Sequence, residues 1–154
     1  MIHLMRIYSI GTSTRTIEEF MEILKAYAIE VAADVRSFPR SRFPHFHGSQ
    51  LARFLGDERI EYCYMGKELG GYRRGGYKAY IDTPPYHEGL ARLEEVARGR
   101  TTAFFCAERF PWLCHRRFIG VSLTERGWEV NHIIEEGKVW SPTARSTDTA
   151  RGEG

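Results

Sequence analysis

Negative charge is missing from two long stretches of this chain. Residues 35–56 contain no aspartate or glutamate, while Arg36, Arg40, Arg42 and Arg53 stand there with His45 and His47. Residues 69–81 again lack acids but carry Arg73, Arg74 and Lys78. The net charge is only +2, so it is the distribution, not the total, that points to a surface able to meet phosphate or carboxylate. No apolar run approaches the ~18 residues of a membrane span, which excludes a spanning helix, and no membrane partner is expected. The first residues, MIHLMRIYSIG, lack the parts of a signal peptide and read as a strand, so a cytoplasmic location is expected. Cysteine is scarce and odd in number: Cys63, Cys106 and Cys114. That argues against a disulfide framework. The dinucleotide and P-loop glycine patterns are absent too.

What is present alternates between strand and helix patterns. RIYSIG (6–11) ends a strand at a glycine, and Thr16 with Glu19 has capping-box spacing before an apolar stripe. EVAADVRS is a second strand, almost entirely apolar before Asp34, as in sheets covered on both faces. QLARFLGD reads as a short helix resting on Leu51, Phe54 and Leu55. IEYCYMG is a third strand in which Cys63 is a small buried residue, and KELGGYRRGGYKAY a flexible loop with a helical end. A helix from Thr83 to Gly99, a strand RTTAFFCA, a helix LCHRRFIGVSLTERG, a strand WEVNHII and a short strand VW follow. The pattern predicts one three-layer α/β domain over residues 1–140, with a mostly parallel sheet of about five strands flanked by helices. Residues 141–154 read as a disordered tail.

Ligands in such sheets bind beyond the carboxyl ends of the strands. That rule selects Gly11–Arg15, Asp34–Arg42, Gly66–Arg74 and Cys106–Arg116, which hold nearly all the unusual chemistry. In CAERFPWLCHRR (106–117), Cys106 ends a strand and Cys114 and His115 start a helix, whose N-terminus lowers a thiol pKa. Either cysteine could be a thiolate nucleophile, with Glu108 as acid or base on the same loop. Against this stands a structural reading in which Cys106 fills the core and His115 braces the loop. Asp34 can act as a base or hold Arg36 in place. Arg36, Arg40, Arg42, Arg73 and Arg116 are candidate phosphate or substrate ligands. Phe38, Phe43 and Phe46 are interleaved with these arginines and the histidines that follow, as base stacking requires, or else they anchor the loop to the core. Thr12 and Ser13, at a strand-to-helix turn, could cradle an anion with backbone N–H groups or merely cap a helix. No cofactor is expected. Zinc is the alternative, with Cys106, Cys114 and His115 joined by His45, His47 or Asp34, but no C-x2-C pair supports it.

IYSIGTSTRTIEEF, ADVRSFPRSRF, ELGGYR and CAERFPWLCHRRFIG…GWEVNHI, in that order from Arg6 to Ile133, resemble the domain of unknown function 488 family. The resemblance implies a compact α/β domain and marks Asp34, Arg36, Cys106, Glu108, Cys114, His115 and Arg116 as motif positions. It supplies no reaction. A histidine commonly follows the first glycine in that family, and here Thr12 stands instead. DVRS and the strand-end cysteine also look a little like a rhodanese-type sulfurtransferase, although the cysteine loop is not glycine-rich. The sequence therefore favours an enzyme acting on a nucleotide or nucleic-acid base, hydrolase- or glycosylase-like, with arginines on phosphate and Asp34 or Glu108 in acid–base roles. A cysteine-dependent thiol or sulfur-transfer enzyme and a non-catalytic nucleic-acid-binding module are the alternatives.

Overall fold

A computed structural model describes residues 5–141. Six strands form one sheet: β1 (Arg6–Gly11), β2 (Val31–Asp34), β3 (Glu61–Tyr64), β4 (Thr102–Cys106), β5 (Glu129–Glu135) and β6 (Lys138–Trp140). Their order is β3-β2-β4-β1-β5-β6. The first five run parallel and β6 is antiparallel to β5. The expected mostly parallel α/β architecture is present, with β6 as the sixth strand. Helices α1 (Ile17–Ala26), α2 (Gly48–Asp57), α3 (Gly66–Leu69), α4 (Tyr77–Tyr80), α5 (Pro84–Gly99) and α6 (Arg116–Glu125) connect and cover it.

Strand alternation divides the core. Ile7, Ala33, Phe104 and Cys106 face one layer, with Leu90 and Leu93 of α5 and Ile119 and Leu123 of α6. Ile10, Ala32, Ala103 and Phe105 face the other, with Phe20 and Leu24 of α1 and Leu51 and Leu55 of α2. Full burial of Phe104 and Phe105 contributes about 1.5–3 kcal/mol each. The same alternation turns the Cys106 side chain toward α6.

Local chemistry sets the helix starts. Thr16 and Glu19 form the expected capping box, with Thr16 N–H donating to Glu19 Oε1 at 2.8 Å and Glu19 N–H to Thr16 Oγ1 at 3.0 Å. Four expectations need correction. Phe54 is exposed on α2, so Leu51 and Leu55 alone carry its packing. Cys63 is only partly buried, because β3 is an edge strand with one neighbour. The loop expected after β3 has its helical end in α4, but it also opens with a single-turn helix, α3. The last long helix starts at Arg116, not Leu113: Pro111–Leu113 make a 3-10 turn and Cys114 is extended (φ −147°, ψ 178°). An extended Cys114 can point its sulfur inward while Leu113 stays in solvent. Of the expected tail, residues 142–154 lie outside the described residues. Among the described residues, no helix is long and apolar enough to cross a membrane.

Candidate active site

An open cavity of about 530 Å³ lies beyond the carboxyl ends of β2 and β4. Cys106, Glu108, Cys114 and His115 line one side of it; Arg36, Phe38 and Arg40 come from the loop after β2. Gly71 and Tyr72 close the mouth, and Tyr77 and Phe118 supply aromatic walls. Three regions far apart in sequence, 36–40, 71–77 and 106–118, meet there, at the sheet edge where parallel α/β folds bind ligands.

Its most distinctive feature is a sulfur pair. Cys106 Sγ and Cys114 Sγ are 2.9 Å apart, close enough for one sulfur to donate a hydrogen bond to the other. Cys114 Sγ also accepts the Arg116 backbone N–H at 3.3 Å, at the N-terminus of α6. Arg116 is fully buried, and its side chain is held on every edge. Nε donates to Cys106 Sγ at 3.1 Å, Nη1 to Ser9 Oγ at 2.8 Å, and Nη2 to the Glu108 carbonyl at 2.6 Å and, more weakly, to the Arg109 carbonyl at 3.3 Å. Among the described residues no carboxylate lies in ion-pair range of Arg116. A guanidinium is charged at any ordinary pH, and buried charges need a counter-charge. Here the nearest candidate is the cysteine pair.

The two thiols are driven apart in acidity. The hydrogen bond from Cys106 lowers the pKa of Cys114, helped by His115 and by the charge and backbone N–H of Arg116, against the effect of burial. Burial, with the hydrogen bond to Cys114, pushes Cys106 up. Both effects favour the proton of the pair on Cys106 and a negative charge on the more accessible Cys114. His115 Nε2 is 2.7 Å from the Val35 carbonyl, so that nitrogen carries a proton and donates it, leaving Nδ1 for the cavity side. A Cβ on Gly71 would sit 2.7 Å from that Nδ1, which is why glycine lies there. Gly11 answers a similar constraint: a Cβ would stand 1.8 Å from the Glu108 carbonyl oxygen, where the loop after β4 crosses β1.

The other expected site residues separate into groups. Asp34 is fully buried behind the cavity wall. Its Oδ1 accepts Arg36 Nε at 2.8 Å and the Arg36 N–H at 3.0 Å, and its Oδ2 accepts Arg36 Nη2 at 2.8 Å and the Tyr62 hydroxyl at 2.5 Å. Both oxygens are occupied, so Asp34 positions Arg36. Arg36 Nη1 donates onward to the Phe46 carbonyl at 2.8 Å and pins the loop between β2 and α2. Thr12 and Ser13 spend their N–H groups on the Cys106 and Ala107 carbonyls, each at 2.8 Å. They align β1 with the cysteine loop and cradle no anion through those groups. Arg73 donates to the Gly70 and Lys67 carbonyls and lies over Tyr80. Arg42 is exposed beside Phe43, outside the cavity. Arg40 and Glu108 are the charged side chains exposed at its rim. The zinc reading gains no ligand set: His45 and His47 reach the Arg15 and Ser41 carbonyls, and no three His, Cys, Asp or Glu side chains converge among the described residues.

The sequence did not single out Ser9 and His132. Arg116 donates to Ser9 Oγ, which is itself hydrogen-bonded to His132 Nδ1. His132 is buried on β5, and burial, reinforced by the Arg116 charge, lowers its pKa to about 3. Only the strand register, with Ser9 beside His132, shows that these groups touch.

These titrations give a signed expectation. His132 folds with a depressed pKa, so its contribution is complete above the unfolded value of about 6.5 and is lost as pH falls. Cys114, also depressed, contributes above about 8.5 and declines on acidification, whereas Cys106, raised, loses its contribution as pH rises beyond about 8.5. Stability should therefore peak near pH 8 and fall toward pH 5. Urea unfolding across that range checks this, and His132→Gln should flatten the slope below pH 6.5 by up to about 1.4 kcal/mol per pH unit.

With this geometry in view, comparison with family profiles matches residues 16–123 to the domain of unknown function DUF488. The chain belongs to the DUF488 family. The matched DUF488 region contains Asp34, Arg36, Cys106, Glu108, Cys114, His115 and Arg116, but stops short of His132 and begins after Ser9. Comparison with curated proteins and with solved structures gave no match.

Proposed function

We propose that this DUF488 protein is a thiol-dependent enzyme in which Cys114 is the nucleophile. The observation that carries the reading is the buried Arg116, which lacks a carboxylate in ion-pair range among the described residues; its guanidinium donates to Cys106 Sγ and its backbone N–H to Cys114 Sγ. A cysteine merely filling a core needs no buried charge beside it, and desolvating one is expensive. Beside Arg116, a Cys114 thiolate at the cavity wall is ready to attack an electrophilic atom and form a covalent intermediate. The backbone N–H of Arg116 at the N-terminus of α6 holds the thiolate, and the guanidinium charge lies close by. Tyr77 and Phe118 receive an apolar part of the substrate, and Arg40 and Glu108 set its polar end.

The nucleotide-acting alternative needs an accessible carboxylate among free arginines. Asp34, Arg36, Arg73 and Arg116 are committed to internal bonds, which leaves Glu108 and Arg40 to do all of that work. The thiol reading uses more of what the cavity contains.

Alkylation by iodoacetamide, followed by peptide mass mapping, tests the proposal. Between pH 6 and 8 an ordinary thiol gains roughly 75-fold in thiolate and in rate. Cys114 should already react at pH 6 and change by less than about threefold. A Cys114 rate that climbs with pH as an ordinary thiol does would remove the basis for the assignment.

A further inference from the structure

We propose that Cys106 and Cys114 form a catalytic dithiol/disulfide couple, Cys114 attacking and Cys106 resolving, whose substrate is a small disulfide with an apolar or aromatic arm. This rests on the reading of Cys114 as the nucleophile and adds the reaction class.

A nucleophile that only makes and breaks an adduct needs no second thiol. Here the second sulfur already stands 2.9 Å from the first and points at it. The two differ in depth: Cys106 is 3% exposed, while Cys114 is partly open to the cavity. A substrate entering past Phe38 and Tyr72 meets Cys114 first, and Cys106 lies beneath it. Once Cys114 carries a substituent, Cys106 is placed to attack from below, away from the departing group. Thiol–disulfide exchange needs that arrangement of attacking, central and leaving sulfurs. The deep thiol must become a thiolate for its step, and Arg116 Nε, 3.1 Å from Cys106 Sγ, is there to stabilise it. Arg116 thus serves both sulfurs, with its guanidinium at Cys106 and its backbone N–H at Cys114.

The steps balance. The Cys114 thiolate attacks one sulfur of R–S–S–R′, the S–S bond breaks, and R′S⁻ leaves with the bonding pair. Cys106 then gives up its proton and attacks Cys114 Sγ. The bond from Cys114 to RS breaks, and RS⁻ leaves and takes that proton. Two electrons pass from the dithiol to the substrate, giving two substrate thiols, one of them as its thiolate, and a Cys106–Cys114 disulfide. Two molecules of a low-molecular-weight thiol return the protein to the dithiol, becoming a disulfide themselves. The aromatic groups at the cavity give the arm of the substrate its surface.

The test uses the full chain carrying Cys63→Ser, so that only the pair reacts, with dithiobis-nitrobenzoate as the disulfide probe. The parent should release two coloured thiolates per chain and lose two hydrogens in mass. Peptide mapping should show Cys106 joined to Cys114. Cys106→Ser should release one thiolate and keep the other half of the probe on Cys114, and Cys106→Ala repeats the measurement should the serine variant fold poorly. Cys114→Ser should react at least about tenfold more slowly. A parent that reacts quickly at Cys114 but retains the probe overturns the resolving role and leaves the nucleophile standing. A Cys114→Ser variant that reacts as fast as the parent overturns both.

Discussion

Arg116→Met should lower stability by about 3–5 kcal/mol and slow alkylation of Cys114 at pH 6 by about a hundredfold. Methionine has nearly the length of the arginine stem but no donor. Ser9 Oγ and the Glu108 and Arg109 carbonyls would each lose a buried partner, at about 1–3 kcal/mol where no water replaces it. Relief from burying a charge offsets part of this, so the total stays below the simple sum. The chemical effect has another origin. Without the guanidinium and its field, the thiolate loses its counter-charge, and its pKa climbs toward the ordinary thiol range. Urea unfolding and the pH profile of alkylation separate the two effects. Arg116→Lys sharpens the comparison: it keeps the charge but cannot reach both Cys106 and Ser9 with a rigid fork, so it should recover some reactivity and little stability. An Arg116→Met variant with an unaltered alkylation profile would show that the cysteine pair does not depend on that charge.

Asp34→Asn should cost about 3–5 kcal/mol, a large share of the stability of a domain this size. The shape barely changes, but Arg36, 5% exposed, would be left with a full charge and only neutral partners. The penalty is that of a stranded charge, not of a lost contact. It follows that Asp34→Asn with Arg36→Met should be more stable than Asp34→Asn alone, since the double replacement removes both charges. Chemical unfolding of the three variants checks the order. Because Asp34 lies behind the cavity wall, Asp34→Asn should leave the pH profile of Cys114 alkylation unchanged wherever the protein is folded. A profile altered in the well-folded variant would restore Asp34 as an acid–base group of the site.

Legibility in the sequence follows the range of the interaction. The Thr16–Glu19 capping box spans three residues, and the structure contains it as read. The strand ends were legible at Gly11, Asp34 and Cys106, because apolar runs break there. The start of α6 was less so. LCHRRF has helical spacing, yet Cys114 is drawn into an extended conformation by the partner sulfur on β4, a tertiary contact that overrides local preference.

Arginine was the harder case. Charge patterning and the sheet-edge rule marked Arg36, Arg73 and Arg116 as ligands for an outside anion, whereas all three donate to partners inside the molecule. An arginine looks the same in sequence whether its partner is a substrate or its own backbone. Only packing, which removes water from one face of it, decides. Ser9 and His132 were passed over for a related reason: they lie on strands far apart in the chain, and register alone makes them neighbours.

The sequence by itself determined the α/β class, the covered parallel sheet, the sheet edge where chemistry collects and the loop 106–117 as part of it. These follow from hydrophobic periodicity, glycine stops and strand-to-helix order, all of which act over a few residues. Tertiary structure alone decided that Cys106 and Cys114 meet, that Arg116 lies buried between them and Ser9, and that Asp34 supports Arg36 from behind the wall. Those facts depend on how separate elements pack and on which charges lose their water in doing so, and neither is written in any short stretch of the chain.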